Sequence, residues 1–289
     1  MSASADSGEQ CDGINDDGAS AAALASSLPP IHPKISPPCR TFQALLVLRA
    51  QFPQQCGFCV PVLLRHQLYA MGDADKTQTD REIEVMLSRA ELRQIRLPLS
   101  EGDMAVVFTQ DLLAAMRSQF QAYRQLASSP PPPLDAASFE QLATWLDERV
   151  FRFHSHFNIA KDDMHSLLEE FLGDAHGDKV DAVVSLLFRL GFLKAVDSTK
   201  YGWTLPRLGA FVGWLTKGRN ELLTRFRRCR FKEILELEVR QKPLKQSQLG
   251  MAFHIQDLVG RGTLHRIPTT SGDLLRLAGE VQNRQMTWA

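Results

Sequence analysis

Between Arg207 and Lys232 the chain places eight Lys or Arg residues against a single acid, Glu221. Fixed positive charge at this density suits charge-assisted contact with a polyanion, most simply nucleic-acid phosphate. In the same stretch Leu208, Phe211, Val212, Leu215, Leu222 and Phe226 recur at three- and four-residue steps with longer gaps, a helical stripe made for burial. On a helical wheel Lys217, Arg225, Arg228 and Lys232 lie roughly a quarter turn from that stripe. A helix of this design docks on a core and presents cations beside it. An adaptor for an acidic protein partner is the alternative reading, but it has no need of so many cations clear of the apolar stripe.

Other reactive residue types form weaker patterns. Cys56 and Cys59, in CGFC, have the spacing of a redox pair or half a zinc site. No strand precedes them in a βαβ setting, and no second ligand pair lies nearby, so they are expected to be packing residues. His154, His156, His165 and His176 fall in an acidic region and read as surface histidines. The pairs Asp162/Asp163 and Glu169/Glu170 have no partner base and read as an exposed helix face. Phosphoryl transfer has no machinery here: a glycine-rich phosphate loop with a strand lysine, an HRD loop, a DFG ligand and a P-loop are all missing from the sequence. Gly260–Gly262 is too short to cradle a nucleotide. No enzyme, cofactor, metal or small-molecule substrate is expected.

The net charge of zero conceals a segregation of sign. Residues 1–39 hold five acids and one base, and residues 135–181 hold eleven acids and four bases. Residues 182–289 hold eighteen bases and eight acids, enough to steer an anionic partner toward the C-terminal third. No apolar run reaches the ~18 residues that a membrane span needs. The start of the chain lacks the charged and apolar regions of a secretory signal. Five cysteines, an odd number, fit a reducing compartment.

The elements that would position the basic helix follow a repeated order. Residues 1–40 are poor in large apolar residues and read as a disordered leader. In residues 41–127, helices near Thr41–Ala50, Val62–Ala70 and from Thr77 or Thr79 to Arg89 precede strands Leu92–Leu97 and Met104–Phe108. Thr79 and Glu82 suggest a capping box, and Thr109–Leu126 reads as a closing helix. Three helices and then a hairpin is the order of a winged helix, whose third helix usually meets DNA. After a Pro-rich spacer at 128–134, the order returns in 135–230: helices near Ala136–Arg152, Ala160–Phe171 and Lys179–Leu190, then hairpin strands Gly191–Val196 and Lys200–Leu205, then the basic helix. Residues 231–289 offer helices Phe231–Val239 and Ala252–Gly260 and a hairpin turning at TTSG, a third and compact winged helix with a tail. The fold expected is mainly α with short β hairpins, three winged helices in tandem. Lys200 at a wing tip, and Arg261 and Arg266 in the last hairpin, extend the cationic surface; Tyr201, Trp203, Phe226 and Phe231 are expected mostly in the core.

The string from Gly191 to Leu235, and LGMAFHIQDLVGRGTLHRIPTTSGDLLRL after it, resemble the family named serine/threonine-protein kinase 19. The likeness spans roughly Thr41 to Leu277 and is most specific at Lys217–Arg219, His254–Gly260 and Thr269–Gly272. It implies three winged helices that bind double-stranded DNA and no kinase activity. It further implies a nuclear scaffold at chromatin for transcription-coupled nucleotide-excision repair, joining the stalled RNA polymerase II repair complex to TFIIH. The family's DNA-contact positions correspond to Lys217, Arg219, Arg227, Arg228, Arg230 and Lys232, with Arg225 added on charge alone. The acidic leader departs from the basic leaders of that family, so nuclear entry would rest on Arg225–Lys232 or on a partner.

Overall fold

The structure, a computed structural model, describes residues 30–31, 39–53, 60–71, 75–99, 104–126, 133–152, 158–173 and 177–279. The leader up to residue 29, CGFC, His154, His156, His176, the SEGD turn and most of the Pro-rich spacer lie outside the described residues.

Three times the chain runs helix, short strand, two further helical segments and hairpin. The first unit contains α1 (Arg40–Gln51), β1 (Leu63–Leu64), a 3₁₀ segment (Arg65–Ala70), α2 (Lys76–Ser88), β2 (Leu92–Arg96) and β3 (Met104–Phe108), closed by α3 (Thr109–Leu126). The second contains α4 (Ala136–Trp145), extended by a π-helical turn (Leu146–Phe151), then β4 (Asn158–Ala160), α5 (Lys161–Leu172), α6 (Gly177–Arg189), β5 (Leu193–Ala195) and β6 (Lys200–Trp203). The basic helix is α7 (Leu208–Arg228), and after it come β7 (Glu233–Leu235), α8 (Glu236–Gln241), α9 (Met251–Gly260), β8 (Leu264–Thr269) and β9 (Gly272–Leu277).

Each unit holds a three-stranded antiparallel sheet, ordered β1-β3-β2, β4-β6-β5 and β7-β9-β8. The second hairpin strand is central every time, and the short strand between the first two helical segments covers its other edge. This makes all three units winged-helix-like. Sequence reading missed β1, β4 and β7, because two or three residues are too few to show strand alternation. What read as a helix from Val62 is β1 and a 3₁₀ turn, and the helix expected from Phe231 begins at Glu236, after β7. The capping box at Thr79 does not form. Asp75 caps α2 by accepting the Thr77 N–H at 3.0 Å, Thr79 is buried, and Glu82 accepts the Thr41 N–H at 3.2 Å.

The cores are not separate. One cluster of buried side chains runs from β3 and α3 through the second unit and onto Leu249 and Phe253 of the third. Phe120 and Phe139 stack with ring centroids 3.7 Å apart, joining α3 to α4. Phe52, Phe211 and Phe253, one from each unit's neighbourhood, form a trio with centroids 6.0–6.5 Å apart. Arg93 of β2 crosses to the second unit, donating to the Phe151 carbonyl at 2.8 Å and lying 4.7 Å over its ring. Burial pulls that guanidinium down to about 10, against the opposing pull of Asp147. Helix α7 belongs to two cores at once: Phe211 and Leu215 enter the shared cluster, while Leu222 and Phe226 pack with Val239, Ile255, Leu258 and Leu275. Its last turns therefore act as the first helix of the third unit, although the sequence suggests a division at 230/231.

Candidate nucleic-acid interface

The buried stripe of α7 is Leu208, Phe211, Leu215, Gly218, Leu222 and Phe226. Gly218 fills the gap in the apolar series that the sequence left between Leu215 and Leu222, and Val212 is only half-buried. A Cβ on Gly218 would overlap the His254 ring, so this position must stay without a side chain for α9 to cross α7.

One residue on, Arg219 is spent inside the protein. Its Nε and Nη2 donate to the two oxygens of Asp257, each at 2.7 Å, and its side chain is only 12% exposed. Asp257, fully buried on α9, also accepts His66 Nε2–H at 2.6 Å from the 3₁₀ segment of the first unit. Burial alone would raise the Asp257 carboxyl, but the Arg219 guanidinium and the hydrogen bond from His66 outweigh it and hold the group at about 2. Nearby, His254 Nε2 lies 2.7 Å from Ser247 Oγ. Burial, helped by the Arg219 charge, lowers the imidazole to about 4 against the pull of Asp257 and Glu221, so it is neutral at pH 7. At the end of α9, a Cβ on Gly260 would overlap the His66 carbonyl. The strings Lys217–Arg219 and His254–Gly260, which carried the family likeness most specifically, thus meet in one interlocking joint. Helix α9 holds the position that reads DNA in other winged helices, yet Met251, Phe253, His254, Ile255, Asp257 and Leu258 are all buried. It docks on the first unit instead.

Two more of the expected DNA contacts are tied down. Arg225 donates to Glu221 Oε1 and to the carbonyls of Lys242 and Pro243 at 2.6–2.7 Å, which anchors the loop after α8 to α7. Burial would raise Glu221, but Arg225 and the Lys245 and Gln246 N–H groups hold it below the usual carboxylate range. Arg266 donates to Glu236 at 2.9 Å and lies 3.7 Å from Asp273. Arg261 is half-buried just past the end of α9.

The remaining cations are open. Lys217, Arg227 and Arg228 are exposed on α7, and Arg230 and Lys232 are exposed on the turn beyond it; none of the five pairs with a described carboxylate. The helix stops at Arg228 with Cys229 as its cap, so Lys232 is not helical as the wheel supposed, and Arg230 shares the turn with it. Lys200 is exposed at the start of β6, beside the turn that Asp197 fastens through the Thr199 N–H at 2.7 Å. Tyr201 does not reach outward, because it packs on Phe188 with Lys161 Nζ 5.4 Å from its ring. Asp162, Asp163, Glu169 and Glu170 are exposed on α5, as expected.

Sequence reading overlooked Lys242 and Lys245. They line a groove of about 900 Å³ between α7, α8 and the following loop, together with Arg225, Arg228, Ile234 and Val239. Their signal was the KPLK string, two cations around a helix-ending proline. Among the described residues, no group of three or more His, Cys, Asp or Glu is placed to hold a metal ion, and no helix is long and apolar enough to cross a membrane.

Fold and surface together define a tandem winged-helix protein with a cationic ridge. A family model described as inactive serine-threonine protein kinase 19 matches residues 38–277, and the chain belongs to that family. It is accordingly a non-enzymatic protein. The chain is 29% identical over 239 residues to Winged helix repair factor 1 of Xenopus laevis, covering 81% of this chain and 82% of that one. It is 27% identical over 219 residues to the Homo sapiens protein of the same name, covering 75% and 76%. A shorter match, 30% over 99 residues and 32% of each chain, is to Serine/threonine-protein kinase mug51 of Schizosaccharomyces pombe.

Proposed function

We propose that this chain is a non-catalytic DNA-repair scaffold that grips duplex DNA with the cationic ridge formed by the end of α7 and the turn after it. The observation that carries the reading is the set of five exposed cations, Lys217, Arg227, Arg228, Arg230 and Lys232, without described carboxylate partners. Lys200 extends the ridge, whereas Arg219, Arg225 and Arg266 serve the fold. The relatives' name, Winged helix repair factor 1, supports the repair role, and a nuclear setting follows from that role. Within repair, the family resemblance points to the transcription-coupled nucleotide-excision pathway, with the scaffold bridging stalled RNA polymerase II repair factors to TFIIH.

Arginines arrayed along a helix meet phosphates more readily than base edges, so binding depends little on sequence. Five neutralised phosphates give a slope of about −4 to −5 for log affinity against log salt. Fluorescence anisotropy with a labelled duplex measures it. A flat salt response, or no binding at low salt, favours the adaptor reading, in which the ridge meets an acidic protein.

A further inference from the structure

Among the described Phe, Tyr and Trp residues, only Phe231 is exposed, at 73% of its surface. It stands within the basic run, between Arg230 and Lys232. The turn that holds it is fastened at both ends. Lys232 N–H donates to the Cys229 carbonyl at 3.1 Å, and the Lys232 carbonyl accepts the Leu277 N–H of β9 at 3.0 Å. The first of these bonds closes the turn with Arg230 and Phe231 at its corners, and Lys232 leaves it at a positive φ of 55°. An apolar ring is thus held in water on a hydrogen-bonded turn, although the sequence placed it mostly in the core.

Chemistry decides what such a ring is for. The Arg230 guanidinium lies over it, 5.3 Å from the centroid, so a cation already stands on one face. A wedge driven between base pairs needs both ring faces bare. A platform that receives one unpaired base needs a single bare face, and a cation behind the ring strengthens the stack. We infer that Phe231, backed by Arg230, is a stacking platform for an unpaired base, so that the preferred ligand is a duplex interrupted by unpaired nucleotides. The inference rests on the proposed DNA-binding ridge: Arg227, Arg228 and Lys232 take the flanking phosphates, and Phe231 takes the first base out of the stack.

The test compares a fully paired labelled duplex with one carrying a central tract of unpaired thymines, at one salt concentration. The intact protein binds the interrupted duplex about tenfold tighter, within the range for one base stacked on an aromatic side chain. Phe231→Ala abolishes that preference and changes affinity for the paired duplex by less than about twofold. Phe231→Trp restores the preference, which separates stacking from a disturbed turn. Equal binding of the two probes by the intact protein, or a preference that survives in Phe231→Ala, overturns the platform while leaving the ridge in place. Failure to bind either probe overturns both.

Discussion

Arg219 and Arg227 lie two turns apart on one helix and carry the same charge, yet they do opposite work. Arg219 is folded into the protein by a fully buried carboxylate and helps lock the third unit to the first. Arg227 faces solvent with no described acid in reach. Arg219 flanks the buried stripe and meets Asp257 across the joint, whereas Arg227, about 80° further round the helix, points away from it. A count of cations along the sequence therefore overstates a DNA surface by every arginine that a distant acid has claimed.

The sharpest way to break the contrast is Arg219→Ala, which leaves Asp257 buried with the hydrogen bond from His66 as its remaining side-chain contact. Losing one partner of a buried pair costs about 3–5 kcal/mol, to be read as a shift in the urea midpoint at constant slope. Little change would mean that the joint is not a locking element. His254 supplies a second handle on the same joint. Its folded value of about 4 lies below the ordinary 6.5, so the unfolded chain takes up a proton first as pH falls. Stability is fully present above about pH 6.5 and declines toward pH 4 by about 3 kcal/mol. Asp257, held at about 2, adds a further loss only below its ordinary 3.8. Urea unfolding at pH 7 and pH 4.5 checks this, and His254→Gln removes the part of the pH dependence that belongs to this ring. A smaller effect is expected of Arg225→Ala: about 1 kcal/mol of stability from lost contacts to a partly exposed loop. Duplex affinity should hardly move, since Arg225 is tied to Glu221, Lys242 and Pro243.

Much of this architecture was legible because the repeats punctuate themselves. The short apolar strands LRQIR and MAVVF, the TTSG turn and the 3-4 spacing of Leu208 to Leu215 each carry a local signal, and the order of helices then hairpin recurs. The strands β1, β4 and β7 left no such signal; they exist only because each completes a sheet edge opened by a hairpin. Within the ridge, the exposure of Lys217 and Arg228 followed from their angle to the apolar stripe, whereas Arg225, given the same angle, is held by Glu221. The fate of Arg219 did not, because Asp257 is 38 residues away in sequence and nothing local announces their pairing. Phe231 escaped for a related reason: it follows the last helical turn, where helix periodicity no longer tells inside from outside.

The most direct test of the account is a comparison of two variants that lose equal charge. One carries Arg227→Ala and Arg228→Ala, both open; the other carries Arg225→Ala and Arg266→Ala, both tied. After each is shown to be folded, duplex binding is titrated across salt by fluorescence anisotropy. The open pair should flatten the log–log salt slope by about 2, while the tied pair shifts it by less than about 0.5. Equal flattening by the two pairs would contradict the account, since binding would then follow net charge and not the exposed ridge.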